Sequence, residues 1–204
     1  MQTDEDFALR MPESWRNYLN LADQQWIGRI VFDERQGKRS VLSNPVRLWY
    51  NPPARKSKSN NSTVLLKPEA VQYFRRRLCL WVPRRAYNWD FLCPSCRKSL
   101  TSKGLYPKIR KVLDISGWYY LATEYMECRS CNVHANSWDR RILDQLPIGI
   151  RVKFPALLTL KYSVDQAVVT FLKSRTLGNT PTAFANSLKE VHIEAWMKTN
   201  INYM

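Results

Sequence analysis

The sequence lacks any hydrophobic run long enough to cross a membrane. No apolar stretch in its 204 residues approaches the ~18–20 residues that a spanning helix needs, which argues against an integral membrane protein. The first ten residues, MQTDEDFALR, are acidic and contain no apolar segment, so we expect neither a secretory signal nor a transit peptide. Without an export signal we expect a reducing compartment, where paired cysteines favour metal over disulfides.

Acidic side chains are scarce in the middle of the chain. Residues 35–111 contain nineteen basic and only two acidic side chains, Glu69 and Asp90, for a net charge of +17. Residues 1–34 have a net charge of −4 and residues 112–204 one of +2. Positive charge concentrated in one third of a chain predicts a polyanionic partner, most simply nucleic acid.

The same scarcity of carboxylates argues against an enzyme. A nuclease or a DDE transposase needs converging carboxylates to hold Mg²⁺. The acidic residues outside the basic third, such as Asp114, Glu124 and Glu127, form no recognisable motif. We therefore expect no catalysis in this chain and no small-molecule substrate.

Four of the five cysteines form two CxxC pairs, Cys93/Cys96 and Cys128/Cys131. Four thiolates complete the tetrahedral shell of one structural Zn²⁺. The 31 residues between the pairs are enough for a β-hairpin that returns the second pair to the first, which is the layout of a zinc ribbon. His134 is an alternative ligand in place of one cysteine. The fifth cysteine, Cys79, is predicted to be a buried core thiol.

The apolar pattern predicts an α+β chain with a β-rich centre. Strands are predicted over residues 26–32, 78–82, 108–115, 118–127 and 133–138. Short helices are predicted after Pro12 and over residues 139–146. A further helix is predicted from Ser163, which has capping-box spacing to Gln166, and another over residues 180–197, with Thr180 as its N-cap.

Composition divides the chain into three parts. Residues 1–62 form an N-terminal segment with a basic linker, residues 63–147 the zinc ribbon, and residues 148–204 a helical subdomain with a helix-turn-helix-like pair. The linker, residues 51–61, ends in RKSKSNN. This run is typical of a solvated arm, and it also has the composition of a nuclear import signal, so we expect a nuclear protein.

Twelve cations are the predicted nucleic-acid contacts because they flank the buried strand over 78–82, the two CxxC pairs and the first hairpin strand. They are Arg75, Arg76, Arg77, Arg84, Arg85, Arg97, Lys98, Lys103, Lys108, Arg110, Lys111 and Arg129.

Two further features have both a binding and a structural interpretation. The aromatics Trp118, Tyr119 and Tyr120 could stack on bases, although such rings on a strand more often form core. The last helix could be a recognition helix with Asn186, Lys189 and Lys198 as its polar contacts, although its near-neutral charge favours an ordinary packed helix.

Several segments together resemble a zinc-ribbon domain family of unsettled activity. They are RRRLCLWVPRR, CPSC, KVLDISGWYYLATEYMECRSC, WDRRILDQLP and FPALLTLKYS. The resemblance is good over residues 75–204 and looser from residue 11. It implies occurrence in transposon-derived proteins of animals and fungi and in some HMG-box proteins. It also implies that Cys93, Cys96, Cys128 and Cys131 are the metal ligands.

The function predicted from the sequence is a zinc-ribbon nucleic-acid-binding module, with DNA favoured over RNA and with structural zinc. The alternative is a zinc-stabilised protein-interaction scaffold, because zinc ribbons also serve as docking units and acidic protein partners also favour a basic face.

Overall fold

The computed structural model describes residues 7–33, 40–53, 70, 73–173 and 180–204. Its N-terminal part contains a 3₁₀ turn, Glu13–Asn17, and helix α1, Leu21–Val31. The strand predicted over residues 26–32 is therefore wrong. The Asn20 side chain accepts a hydrogen bond from the Asp23 N–H at 2.7 Å, and this N-cap starts a helix. Asp23, Ile27 and Val31, which are spaced four residues apart, are then buried on one face.

An eight-stranded mixed sheet forms the centre of the described structure. Its strands are β1 (Trp49–Tyr50), β2 (Leu78–Trp81), β3 (Thr101–Leu105), β4 (Arg110–Asp114), β5 (Gly117–Glu127), β6 (His134–Asn136), β7 (Ala156–Leu158) and β8 (Ser163–Asp165). The strand order is β1-β2-β5-β4-β8-β7, and β3 and β6 also pair with β5. β2 is parallel to β5 and β4 to β8, while the other pairs are antiparallel. The mixed α and β architecture and the central strands agree with the sequence predictions.

β5 is the longest strand and links two parts of the sheet. Its first half pairs with β2 and β4, and its second half pairs with β3 and β6. The β4–β5 hairpin turns over Ile115 and Ser116, and Gly117 follows with a φ of 147°, a conformation that favours glycine. The end of β5 leads directly to Cys128.

Five helices follow β2 in the described residues. They are α2 (Pro83–Tyr87), α3 (Arg140–Leu143), α4 (Ile148–Arg151), α5 (Gln166–Lys173) and α6 (Pro181–Tyr203). Thr180 caps α6 as predicted, because its hydroxyl accepts from the Ala183 N–H at 3.1 Å. The capping box at Ser163 is wrong, since Ser163 lies in β8. The cap of α5 is instead Asp165, whose carboxylate accepts from the Ala167 N–H at 2.8 Å.

The two faces of the sheet contribute to separate apolar cores, because successive residues of a strand point to opposite faces. The N-terminal core contains Leu78, Leu80, Tyr120 and Ala122 together with Met11, Trp15, Trp26 and Ile27. The cysteine-side core contains Cys79, Trp81, Tyr119 and Leu121 together with Phe91, Cys93, Leu100, Met126 and Cys128. Trp15 also donates its indole N–H to the Tyr106 carbonyl at 2.8 Å, which ties the N-terminal segment to the loop before β4.

Strands from all three predicted segments enter one sheet. β1 lies in the N-terminal segment and pairs with β2, and β8 lies in the last segment and pairs with β4. The three-part division itself stays a prediction. Most of the basic linker and the turn predicted at residues 177–179 lie outside the described residues, so the helix-turn-helix also stays a prediction. Helix α6 buries only Leu188 among its residues, and its His192 Nε2 lies 2.8 Å from the Asp114 carbonyl oxygen.

Candidate metal centre

The two CxxC pairs lie in turns with the same backbone hydrogen bonds. In each turn the N–H of the first cysteine donates to the carbonyl five residues later, at 2.7 Å for Cys93 and 2.9 Å for Cys128. The carbonyl of that cysteine accepts from the N–H four residues later, at 3.0 Å and 2.9 Å respectively. That later residue has a positive φ in both turns, 63° for Arg97 and 54° for Asn132. The repeated geometry indicates two equivalent metal-binding knuckles.

Strands β3, β5 and β6 bring the two knuckles together. The first knuckle precedes β3 and is closed by a bridge between Leu92 and Ser99. The second knuckle lies between β5 and β6, which are antiparallel neighbours. Because β3 also pairs with β5, Thr101 and His134 both lie opposite Glu127, the residue before Cys128. One strand end therefore sets the position of both cysteine pairs.

The four cysteine sulfurs form one compact cluster, with all four Sγ atoms within 4.8 Å of one another. The Cys96–Cys128 and Cys93–Cys131 sulfurs are 3.3 Å and 3.5 Å apart. These distances are far longer than the ~2.05 Å of a disulfide. A tetrahedral Zn²⁺ with Zn–S near 2.3 Å separates its sulfurs by about 3.8 Å. The cluster therefore has the size of a tetrathiolate metal site.

The electrostatics of the cluster also favour a bound cation. Hydrogen bonds from the backbone, first from Ser130 and then from Cys131, lower the pKa of Cys128 to about 6. Backbone hydrogen bonds, that of Cys96 first, also lower the pKa of Cys93. The backbone hydrogen bond of Val133 lowers the pKa of Cys131, but desolvation and then the contacts with the other three sulfurs together outweigh this effect and raise that pKa to about 12. Like charges so close together cannot all ionise unless a cation neutralises them.

One side of the cysteine cluster is buried in the protein, and the other side reaches the surface. Cys93 and Cys128 are buried, Cys96 is partly buried and Cys131 is exposed. The cluster consists of the four cysteines, and His134 is not part of it. The His134 ring stacks on Tyr125 at 5.2 Å and lies 3.9 Å from the Glu127 carboxylate. Four sulfur ligands leave no position for a reacting water, which is typical of a structural metal.

The fifth cysteine, Cys79, is a core residue as predicted. It is fully buried in β2, and burial raises the pKa of its thiol well above the usual range. It belongs to the cysteine-side core without joining the sulfur cluster. Cys79 is therefore a suitable control position for the four cluster cysteines, because it lies in the same core but outside the cluster.

The arginines before β2 contact the sheet. The Arg77 guanidinium lies 2.7 Å from the Asp114 carboxylate and 4.4 Å from the centre of the Trp49 ring. Arg76 lies over the Tyr120 ring at 5.8 Å, and Arg75 is partly buried. The guanidinium groups of Arg76 and Arg77 are thus already in contact with side chains of the same molecule.

The two arginines of α2 are similarly engaged. Arg84 donates to the Leu100 carbonyl at 2.6 Å and to the Asp90 carboxylate at 3.2 Å. Arg85 donates to the Leu42 carbonyl at 2.9 Å. These contacts join α2 to the first knuckle and to the N-terminal part. The contacts of these arginines stabilise the fold, and their predicted role as nucleic-acid contacts stays a prediction.

The cations near the knuckles are more exposed. Arg97, Lys98 and Arg129 are all exposed, and they lie within or next to the two knuckles. Lys103 is half-exposed and forms an ion pair of 2.5 Å with Glu127. Three of these four predicted contacts therefore present their charge to solvent beside the cysteine cluster.

The last three predicted cations converge on a groove that sequence reasoning did not anticipate. This groove, of about 920 Å³, is lined by Lys108, Arg110, Lys111 and Lys161 and by the rings of Tyr18, Tyr106, Trp118, Trp138 and Tyr162. None of its described lining residues is acidic. We call it the basic groove. Lys161 was missed because it is distant in sequence and reaches the groove only through the β7–β8 turn.

Burial distinguishes the three aromatic residues at the start of β5. Tyr119 and Tyr120 are fully buried on opposite faces of the sheet, as core residues. Trp118 is 47% exposed and lines the basic groove. Only Trp118 among the three therefore remains available for a ligand.

Comparison with known protein families finds a match over most of the chain. Residues 15–204 match the profile of a family described as a domain of unknown function, DUF6729. The chain belongs to this family. No curated protein and no solved structure matches it.

The DUF6729 match includes both knuckles and all the segments that line the basic groove. The description of the family assigns no activity to it. None of the described helices combines the length and the apolar character that a membrane crossing requires.

Proposed function

We propose that this chain is a nuclear, transposon-derived zinc-ribbon module that binds nucleic acid, with DNA as the main target. One Zn²⁺ held by Cys93, Cys96, Cys128 and Cys131 has a structural role. The module carries out no catalytic step. The single observation that carries the nucleic-acid proposal is the basic groove, because it combines four cations and, among the residues that the structure describes, has no acidic residue in its lining.

The choice of zinc rests on the donor set. Four thiolates in a tetrahedral-sized cluster suit Zn²⁺, which is redox-inert and needs no open position in a structural site. The two knuckles, joined by a β-hairpin and by strand pairing to β5, support a zinc-ribbon assignment. Zinc would hold the ends of β5, β3 and β6 in register.

The choice of nucleic acid rests on the exposed cations. Lys108 and Lys111 are exposed in the groove, and Arg97, Lys98 and Arg129 are exposed near the knuckles. Such side chains contact phosphates, which position a protein on nucleic acid without reading its sequence. A surface serving only solubility would interleave both signs of charge.

Binding to a random DNA duplex at about 50 and 200 mM salt tests the proposal. Six to ten phosphate contacts should weaken binding by ~10³–10⁵ over that range. Zinc-stripped protein is the control and should lose binding with its fold. No binding at low salt to the duplex or to a single strand of the same length, or equal binding to polyglutamate of matched charge, would contradict the proposal.

A protein-interaction scaffold is the second candidate. Helix α6 exposes an apolar stripe in which Ile193, Trp196, Met197 and Ile201 are 47%, 58%, 53% and 65% exposed. These positions fall on one side of a helix, and an exposed apolar stripe of this kind is typical of a contact with another protein. Substitution of Trp196 separates the candidates, because it should leave nucleic-acid binding unchanged.

A further inference from the structure

The basic groove presents aromatic rings as well as cations. Trp118 is 47% exposed, Tyr18 is 38% exposed and Tyr162 is 76% exposed. All three line the same groove. Exposure of large aromatic rings to water is unfavourable, and phosphates do not stack on aromatic faces. A groove that bound only phosphates would therefore have no use for these rings.

The two most exposed rings are held on ordered backbone. Trp118 lies in β5 directly opposite Leu113 of β4. Tyr162 lies in the β7–β8 turn, where its N–H donates to the Thr159 hydroxyl at 2.9 Å and its carbonyl accepts from the Thr159 N–H at 2.9 Å. Rigid placement reduces the entropy lost when a ring stacks on a ligand.

Arg110 fastens that turn to β4. Its guanidinium donates to the Thr159 carbonyl at 2.7 Å and to the Tyr162 carbonyl at 3.1 Å. Burial lowers the pKa of Arg110, which still leaves it charged because the arginine pKa is so high. Arg110, a predicted phosphate contact, therefore positions the turn that carries Lys161 and Tyr162.

The remaining cations can follow a nucleic-acid backbone. Lys108, Lys111 and Lys161 are exposed and line the groove. Lys161 directly precedes Tyr162 in the chain, and Lys111 is two residues before Leu113, the partner of Trp118 in the sheet. A duplex hides the faces of its bases within the stack, so rings in a groove can stack only on unpaired bases. Sites for single strands combine a positive groove with stacking rings in this way.

We propose that the basic groove binds single-stranded nucleic acid, with unpaired bases stacked on Trp118 and Tyr162 and with phosphates on Lys108, Lys111 and Lys161. This inference rests on the proposed nucleic-acid function and specifies the form of nucleic acid that the groove takes. DNA and RNA strands share the chemistry it requires.

Fluorescence anisotropy with the zinc-loaded full chain tests the proposal. The probes are labelled 16-residue oligo-dT, oligo-U and a random 16-base-pair duplex. Loss of one stacked base should weaken binding of the single strands by about 5- to 150-fold in Trp118→Ala. Trp118→Phe should restore much of that loss. The matched control is Trp196→Ala, which removes an exposed tryptophan outside the groove. Circular dichroism and melting temperature confirm that each variant is folded.

The outcomes separate the two proposals. Selective weakening of single-strand binding in Trp118→Ala and in Tyr162→Ala supports the inference, and the comparison of oligo-dT with oligo-U identifies the preferred strand. Duplex binding with no effect of either ring overturns the inference and leaves the proposed function standing. Equal losses in Trp118→Ala and Trp196→Ala also overturn it. No binding to any probe contradicts the proposed function itself.

Discussion

The two faces of the central sheet are stabilised in different ways. In the N-terminal core, Leu80 and Tyr120 belong to the same apolar cluster as Trp15 and Ile27, and none of the four cluster cysteines takes part in it. On the cysteine-side core, the neighbouring residues of the same two strands lead to Cys93 and Cys128, the buried members of the sulfur cluster. Adjacent residues of one strand therefore belong to cores that are stabilised in different ways, one by apolar packing and the other also by the cysteine cluster. One face should be insensitive to metal and the other should require it.

The largest expected effect is the loss of one metal ligand. Cys128→Ser leaves three thiolates, and structural zinc sites are worth ~10–16 kcal/mol in small peptides. Whole domains are stable by only ~5–15 kcal/mol, so the cysteine side should unfold. Near-UV circular dichroism and solubility measure this.

The control for that variant is Cys79→Ala, which removes a thiol from the same core without touching the cluster. It should keep its metal and a native spectrum. A Cys128→Ser protein that is metal-free and well folded would contradict the proposal that this face depends on metal.

The second effect falls on the other face. Trp15 is fully buried and donates to the Tyr106 carbonyl at 2.8 Å. Trp15→Ala should lower the free energy of unfolding by about 3–5 kcal/mol, as is usual for a large aromatic removed from a core. Urea titration measures the loss, and metal stoichiometry in the folded protein should stay unchanged. Loss of metal from folded Trp15→Ala protein would show that the two faces are not separable.

A smaller effect is expected inside the second knuckle. Asn132 has a φ of 54°, and asparagine tolerates this left-handed conformation better than alanine does. Asn132→Ala should cost about 1 kcal/mol. The matched control is Ser130→Ala, an exposed position in the same turn that is outside the positive-φ residues. Thermal melts of both variants measure the difference, and equal melting temperatures would remove any role for this backbone conformation.

The smallest effect is an opposite pH response of the two faces. Burial raises the pKa of Glu124, which accepts hydrogen bonds from the Arg84 N–H and the Ser137 hydroxyl. A raised pKa in the folded state means that the stability this group contributes is present at low pH and is lost as pH rises through that pKa. Metal ligands respond in the other direction, because acid protonates thiolates and releases the metal.

Glu124→Gln tests this pH contrast. The variant should melt slightly higher than the wild type at pH 8 and show no advantage near pH 4. Metal release on acidification should be the same in both proteins. A variant that melts lower at pH 8 and equally at pH 4 would reverse the expected sign.

The sequence allowed the cysteine cluster and the strands β4, β5 and β6 to be predicted, because CxxC spacing and alternating aromatic strands are local signals. Strand β3 was not predicted, because its sequence TSKGL contains glycine and lysine, which are uncommon in strands. Helix α1 was missed because Trp26 to Phe32 is rich in strand-forming residues, and the cap at Asn20 outweighs that preference. Ser163 was misplaced because the pairing of Val164 with Leu113 is non-local.

Like the pairing of Val164, the basic groove could not be predicted, because it depends on contacts between residues that are distant in sequence. Its wall combines the β4–β5 hairpin, the β7–β8 turn and Tyr18 from the N-terminal segment. No single stretch of sequence carries that pattern. Charge counts found the cations but could not separate Arg77, which pairs with Asp114, from Lys111, which faces solvent.

Native mass spectrometry of the chain purified without added metal shows whether the four cluster cysteines hold a metal ion. We expect one zinc ion per folded chain, retained in Cys79→Ala and absent when Cys93 and Cys128 are both replaced by serine. A wild-type chain that is folded, carries no metal and exposes all four cluster thiols to alkylation would contradict this expectation.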